Sequence, residues 1–307
     1  MSRVPLAALL VVLVALALIV AACDSSDETP AGDNRLPAVA TTMQLQDFVR
    51  QVGGDRVSVE GILGPSDEPH EYEPTPDDAD AVSAARVVVV NGAELDGWLA
   101  DLEGIAPDDA VRVTAVEGIE LLPTEEGGFP GDPHVWHDPA LAGRMVDNIA
   151  AGLSEADPEG RADYEENARR FKAELEEMAA AIRELFAPVP PEQRLLVTSH
   201  DAFGYFARAY DLTQVGTVLP SVTTETEPSA RQIQRLVDEI RRTGVRAIFT
   251  EEAVDARLER RVAQEAGATV NSSLYADVLG EPGSGAETFI DAELANARAM
   301  AEAWSVS

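Results

Sequence analysis

The sequence lacks a second cysteine: Cys23 is the one cysteine in 307 residues, so no intramolecular disulfide can staple the fold. Basic side chains are scarce, with 23 Lys and Arg against 55 Asp and Glu, a formal net charge of −32. Such a surface repels phosphate, which excludes a nucleic-acid partner, and it repels anionic lipid headgroups. The longest apolar run, Leu6 to Val20, is 15 residues. A permanent membrane-spanning helix needs ~20. There is no H-E-x-x-H and no cysteine pair, so the dense local metal signatures are missing. Histidine is rare too, with four in the chain.

What is present starts at the N-terminus. Met1 to Arg3 is a short basic start, Leu6 to Val20 an apolar run, and Ala21-Ala22 a small-residue cleavage site. This is the order of a signal peptide, read here as residues 1–22. Cys23 follows Val20-Ala21-Ala22, which resembles the bacterial lipobox. An unpaired cysteine is uncommon in an exported chain. Cys23 is therefore expected to carry the lipid that holds the protein to the outer face of the cell membrane, or within the periplasm. Residues 23–35 contain no large apolar side chain before Leu36 and read as a flexible tether.

Beyond the tether, β and α patterns alternate. Strands are predicted at 38–40, 57–59, 86–90 and 111–113, with helices at 43–52, 76–85 and 94–105. The four consecutive valines Val87 to Val90 mark a strand buried on both faces of a parallel sheet. From Glu159 to Phe186 the apolar residues recur at three- and four-residue steps, and Pro188, Pro190 and Pro191 end the run. Such a helix is about 40 Å long, too long for a crossover in a small sheet, and reads as a brace. The alternation then resumes, with strands at 195–198, 247–250 and 268–270 and helices at 202–210, 228–242, 258–266 and 287–304. The expected fold is α/β: two doubly wound lobes with parallel sheets, 36–157 and 188–307, joined by one backbone helix over 158–187.

The histidines fall on loops. His70 follows a strand, His134 and His137 precede a helix, and His200 sits directly after the strand ending in Thr198. Asp277 lies in another post-strand loop. In open α/β folds, loops at the carboxyl ends of strands converge on the ligand crevice. Each residue alone reads as a surface, capping or turn residue. Their conjunction points to a metal held in the cleft, because imidazole and carboxylate suit zinc and its neighbours.

These stretches resemble a known family: the zinc and manganese solute-binding lipoproteins of bacterial ABC importers, the ZnuA/TroA/PsaA-like group. The matching segments are Cys23 with its signal, Pro69-His70-Glu71-Tyr72-Glu73-Pro74-Thr75, Asp132-Pro133-His134-Val135-Trp136, His200-Asp201-Ala202-Phe203-Gly204-Tyr205-Phe206, Glu225-Thr226-Glu227-Pro228-Ser229 and Ser273-Leu274-Tyr275-Ala276-Asp277. The resemblance implies two lobes with the metal between them, and the ligands His70, His134, His200 and Asp277. It implies a monomeric carrier, not an enzyme, that delivers its ion to an ABC permease. His137 stands where the family has an apolar residue, and is expected to support a ligand or to be exposed rather than to bind metal. The stretch Leu121 to Gly131 lacks the histidines that zinc-specific members carry there, whereas His200 replaces the glutamate of manganese-type members. The balance favours Zn2+, with Mn2+ as the alternative. Two rival readings are a metal-dependent hydrolase using Glu71, Glu225 or Glu251 as base, and a surface adhesin.

Overall fold

The computed structural model describes residues 34–305 except 125–126. Cys23 and its signal lie outside them. From Arg35 onward the chain forms one compact unit. Among the described residues, no helix is long and apolar enough to cross a membrane.

The first half is a parallel sheet of β1 (Leu36–Ala40), β2 (Val57–Gly61), β3 (Val87–Val90) and β4 (Val111–Thr114), in the order β2-β1-β3-β4. Val39 pairs with Glu60 on one side and Val88 on the other. All four residues of β3 are buried, because helices cover both faces. On one face lies α1 (Met43–Gly53), capped by the Thr42 hydroxyl and burying Leu45, Phe48, Val49 and Val52. On the other lies α2 (Pro76–Ala84), whose Thr75–Asp78 capping box and first-turn Pro76 fix its start. The direction of crossover changes between β1 and β3, so the loops leaving their carboxyl ends open a crevice.

Two helices follow β4. The first, α3 (Pro139–Ala156), starts on Asp138, whose carboxylate accepts from Ala140 N and Leu141 N. The second is α4 (Arg161–Phe186), 26 residues long. Its stripe of Tyr164, Ala168, Phe171, Leu175, Met178, Ile182 and Phe186 is buried against α1, α3 and the last helix, α8 (Phe289–Ser305). Asp157 anchors its start, accepting from Arg56 (2.8 Å) and the Tyr164 hydroxyl (2.8 Å).

The second half pairs β5 (Leu195–Thr198) with β6 (Thr213–Thr217) and β7 (Ala247–Glu251) with β8 (Thr269–Leu274), both parallel. Between them run α5 (Gly204–Tyr210), α6 (Ala230–Thr243) and α7 (Arg257–Ala266). The main apolar cluster is shared by both halves, from Phe48 and Trp136 through Phe171 to Phe206 and Phe289. Two smaller clusters flank it.

Three local expectations need correction. Residues 94–105 do not form an α-helix but two 3-10 turns, Gly97–Asp101 and Glu103–Ile105. Gly92, Ala93 and Glu94 all have positive φ (87°, 54° and 67°), which no right-handed helix tolerates. The buried Asp96 carboxylate holds that loop, accepting from Asn91 N (2.5 Å), Gly92 N (3.0 Å) and the Thr41 hydroxyl (2.7 Å). The strand β6 was not predicted, because Thr213-Gln214-Val215-Gly216-Thr217 carries little apolar signal. Helices α5, α6 and α8 begin two residues later than expected, at Gly204, Ala230 and Phe289.

Candidate metal centre

Four loops bring His70, His134, His200 and Asp277 together, with one donor atom from each within 4.8 Å of all the others. His70 sits in a 3-10 turn after β2, where the Glu68 carboxylate accepts from its backbone N–H (3.1 Å). His134 lies between β4 and α3. Asn91 at the end of β3 donates to Pro133 O (3.1 Å) and ties that loop to the sheet. His200 follows β5. Asp277 follows β8, and its loop is gripped from the first half: Gln44 and Trp136 both donate to Ala276 O (3.3 and 3.2 Å). Asn296 on α8 brackets the neighbouring Tyr275, accepting from its N–H and donating to its carbonyl.

The Nε2 atoms of His134 and His70 are 3.4 Å apart, and those of His200 and His134 3.3 Å. Asp277 Oδ2 is 3.1 Å from His200 Nε2 and 3.9 Å from His70 Nε2, while Oδ1 is 3.4 Å from His134 Nε2. A tetrahedron with metal–ligand bonds of ~2.0–2.1 Å has edges of about 3.3–3.4 Å. The spacing therefore fits one small cation bound by all four groups. Asp277 Oδ1 is buried without a hydrogen-bond partner.

The imidazoles are oriented from behind. Asp132 Oδ1 faces His134 Nδ1 at 2.7 Å and also accepts from His134 N (2.9 Å). Glu251 at the end of β7 faces His200 Nδ1 with one oxygen (2.5 Å) and accepts from His200 N with the other (3.1 Å). A proton held on Nδ1 by these carboxylates leaves the Nε2 lone pair for the cluster and makes the ring a better donor. Neither Asp132 nor Glu251 was picked out from sequence as an orienting group. Asp132 had a local signal, two residues before His134, whereas Glu251 is 51 positions from His200.

The electrostatics suit a cation. Burial pushes His70 down to about 3, against the pull of Asp277. Burial also works against a charge on His200, but Glu251 and Asp277 outweigh it and hold its pKa well above the ordinary imidazole value. Burial opposes the Asp277 charge as well, yet the imidazoles, His200 foremost, keep it well below the usual carboxylate range. A site of three carboxylates, Asp132, Glu251 and Asp277, around buried imidazoles demands positive charge at its centre, as protons or as a metal.

His137 does not join the cluster. It is buried, not exposed, which corrects one of the two expectations for it. Its Nδ1 meets Glu293 Oε1 on α8 at 2.8 Å, and its ring stacks on Phe203 with centroids 4.6 Å apart. Of the carboxylates considered as catalytic bases, Glu251 is committed to His200, and Glu71 and Glu225 are exposed at the mouth.

Comparison with known proteins places the chain in a family. The family model described as zinc-uptake complex component A, periplasmic, matches residues 38–303. The manganese-binding lipoprotein MntA of Halalkalibacterium halodurans is 36% identical over 282 residues, 91% of this chain and 92% of the relative. The manganese ABC transporter substrate-binding lipoprotein PsaA of Streptococcus pneumoniae is 30% identical over 288 residues, 91% of this chain and 93% of the relative. Among solved structures, the periplasmic zinc-binding protein TroA of Treponema pallidum superposes with a TM-score of 0.81 at 25% identity, covering 88% of this chain and 99% of that one. The shared α/β fold, the near-complete coverage and the family match lead to one conclusion: the chain belongs to the zinc-uptake complex component A family, whose members are substrate-binding transport proteins and not enzymes.

Proposed function

We propose that this protein captures a divalent transition metal, zinc in preference to manganese, with His70, His134, His200 and Asp277, and delivers it to the permease of an ABC importer. The observation that carries the reading is the set of four buried donors at near-tetrahedral spacing, with two imidazoles oriented by Asp132 and Glu251. Four protein ligands fill a tetrahedral shell and leave no open corner for substrate, which suits holding a metal and not using it.

The metal choice rests on donor chemistry. Relatives are named for both ions: MntA and PsaA for manganese, TroA and the family description for zinc. Here the donors are three imidazole nitrogens and one carboxylate. Zinc accepts four-coordination of this kind, whereas manganese favours more oxygen donors and binds a given site more weakly. The segments 36–157 and 188–307 act as the two lobes around the ion, with the helix over 158–187 between them. The protein works as a monomer outside the cytoplasm, tethered through a lipid on Cys23.

Competitive titration of zinc and manganese at neutral pH tests the reading. Zinc is expected to bind more tightly, and His200→Glu to narrow the gap by adding an oxygen donor. Equal or tighter manganese binding by the wild type would overturn the zinc assignment. Cys23→Ser is expected to release the protein from membranes or leave it unprocessed.

A further inference from the structure

Beside His70 opens a cavity of about 390 Å³. One wall is the His70 turn with Tyr72 and Trp98, and the other is the loop between β6 and α6, with Thr223 and Glu225. Each wall is backed by its own apolar cluster. Ile62, Val82, Leu99 and Leu102 lie behind the first, with Tyr72 and Trp98 packed on them. Val218, Ile233, Leu236 and Val262 lie behind the second. Both clusters share strands with the main one, Val39 and Val88 alternating with Ala38 and Val87 and Val197 following Leu196, so opening of the mouth is confined to the loops that carry the walls.

The walls meet at one carboxylate. Glu68 Oε2 accepts from the backbone N–H of His70 (3.1 Å) and from the hydroxyl of Thr224 (2.6 Å), a residue 156 positions away on the opposite wall. Glu68 Oε1 is buried without a hydrogen-bond partner, so Oε2 alone makes the attachment. The Thr224 loop is bound in turn to the segment carrying His200: Asp201 N donates to Ser221 O (2.9 Å) and Leu219 N to Ser199 O (2.7 Å). A single oxygen thus joins the turn that presents one ligand to the loop tied to another.

We propose that Glu68 and Thr224 form a latch across the mouth of the metal site, and that this latch, without contributing a ligand, sets how fast bound metal leaves. The proposal rests on the metal-carrier reading and adds a release control to it. The Thr224 hydroxyl bond to Glu68 is the side-chain hydrogen bond that spans the two walls here. Losing it lets the wall open more often while all four donors remain. Dissociation then accelerates and association does not slow.

The test is zinc release from the loaded full-length protein into excess chelator, followed in a stopped-flow instrument. Thr224→Val and Thr224→Ala are expected to speed release about tenfold or more, with association unchanged, and Thr224→Ser to restore the wild-type rate. Glu68→Ala is expected to speed release too, but by a smaller factor in the Thr224→Val background than in the wild type, because there the bond to Thr224 is already gone and only the one to His70 N is left to lose. Wild-type release rates in both Thr224 variants, with zinc binding intact, would overturn the latch. So would effects of Glu68→Ala and Thr224→Val that multiply, since Glu68 would then act through His70 alone. A wild-type protein that takes up no zinc would instead sink the carrier reading on which the latch depends.

Discussion

At the scale of single residues, donors and supports separate cleanly. Alanine at His70, His134, His200 or Asp277 removes a corner of the shell and is expected to abolish tight zinc binding in calorimetric titration. Asp132→Asn and Glu251→Gln keep every donor but lose the carboxylate behind an imidazole, and are expected to weaken zinc binding about 10–100-fold without unfolding the protein. His137 should behave in the opposite way. His137→Ala leaves the Glu293 carboxylate buried without its partner, a loss of about 3 kcal/mol. Urea denaturation should show that loss while zinc affinity stays within a few-fold of wild type; a large loss of affinity would make His137 a ligand. The pH dependence follows from His200. Its pKa is raised by Glu251 and Asp277 despite burial, so around neutrality the metal-free site carries a proton that zinc must displace. Affinity should rise with pH through that range and fall on acidification, with proton release seen as a buffer-dependent heat. Buffer-independent heats from pH 6 to 8 would contradict the assignment.

At the scale of elements, periodicity decided what was legible. The brace helix was readable because its apolar residues repeat at helical spacing over seven turns, and the Val87–Val90 strand because a fully apolar run of that length suits a sheet covered on both faces. The segment 94–105 misled because its composition suits a helix, while Asp96 and three left-handed residues turn the chain before one can start. That loop carries its own prediction. Gly92 has φ 87°, and an added Cβ would meet Thr114 Cγ2 at 2.6 Å. Gly92→Ala combines a left-handed penalty with a clash and should destabilise the protein by about 2 kcal/mol or more, measured as a lower urea midpoint with an unchanged slope. A neutral result would mean the loop relaxes freely.

For the whole molecule, metal and fold are linked. Zinc that binds the folded state and not the unfolded chain stabilises it, by about 4 kcal/mol at a thousandfold excess over the dissociation constant. Thermal unfolding should therefore shift upward with added zinc in the wild type and not in Asp277→Ala. The sharing of one apolar cluster by both halves suggests that such unfolding is a single transition, since α4 and α8 are buried by both.

Some of this was settled by the sequence alone. The α/β alternation and the long brace are written in local patterns, because hydrophobic period and proline placement act within a few residues of chain. The candidate donors His70, His134, His200 and Asp277 were nominated by their loop positions together with the family resemblance, since each alone reads as a surface, capping or turn residue. The tertiary structure decided what depends on distant partners. It brought His70, His134, His200 and Asp277 within 4.8 Å, paired His200 with Glu251, turned His137 toward Glu293 and set Thr224 against Glu68. Nothing local encodes those pairings. They arise because sheet order and core packing carry loops as far apart in sequence as those of His70 and Asp277 to one crevice, where burial leaves each carboxylate only the partner that packing provides.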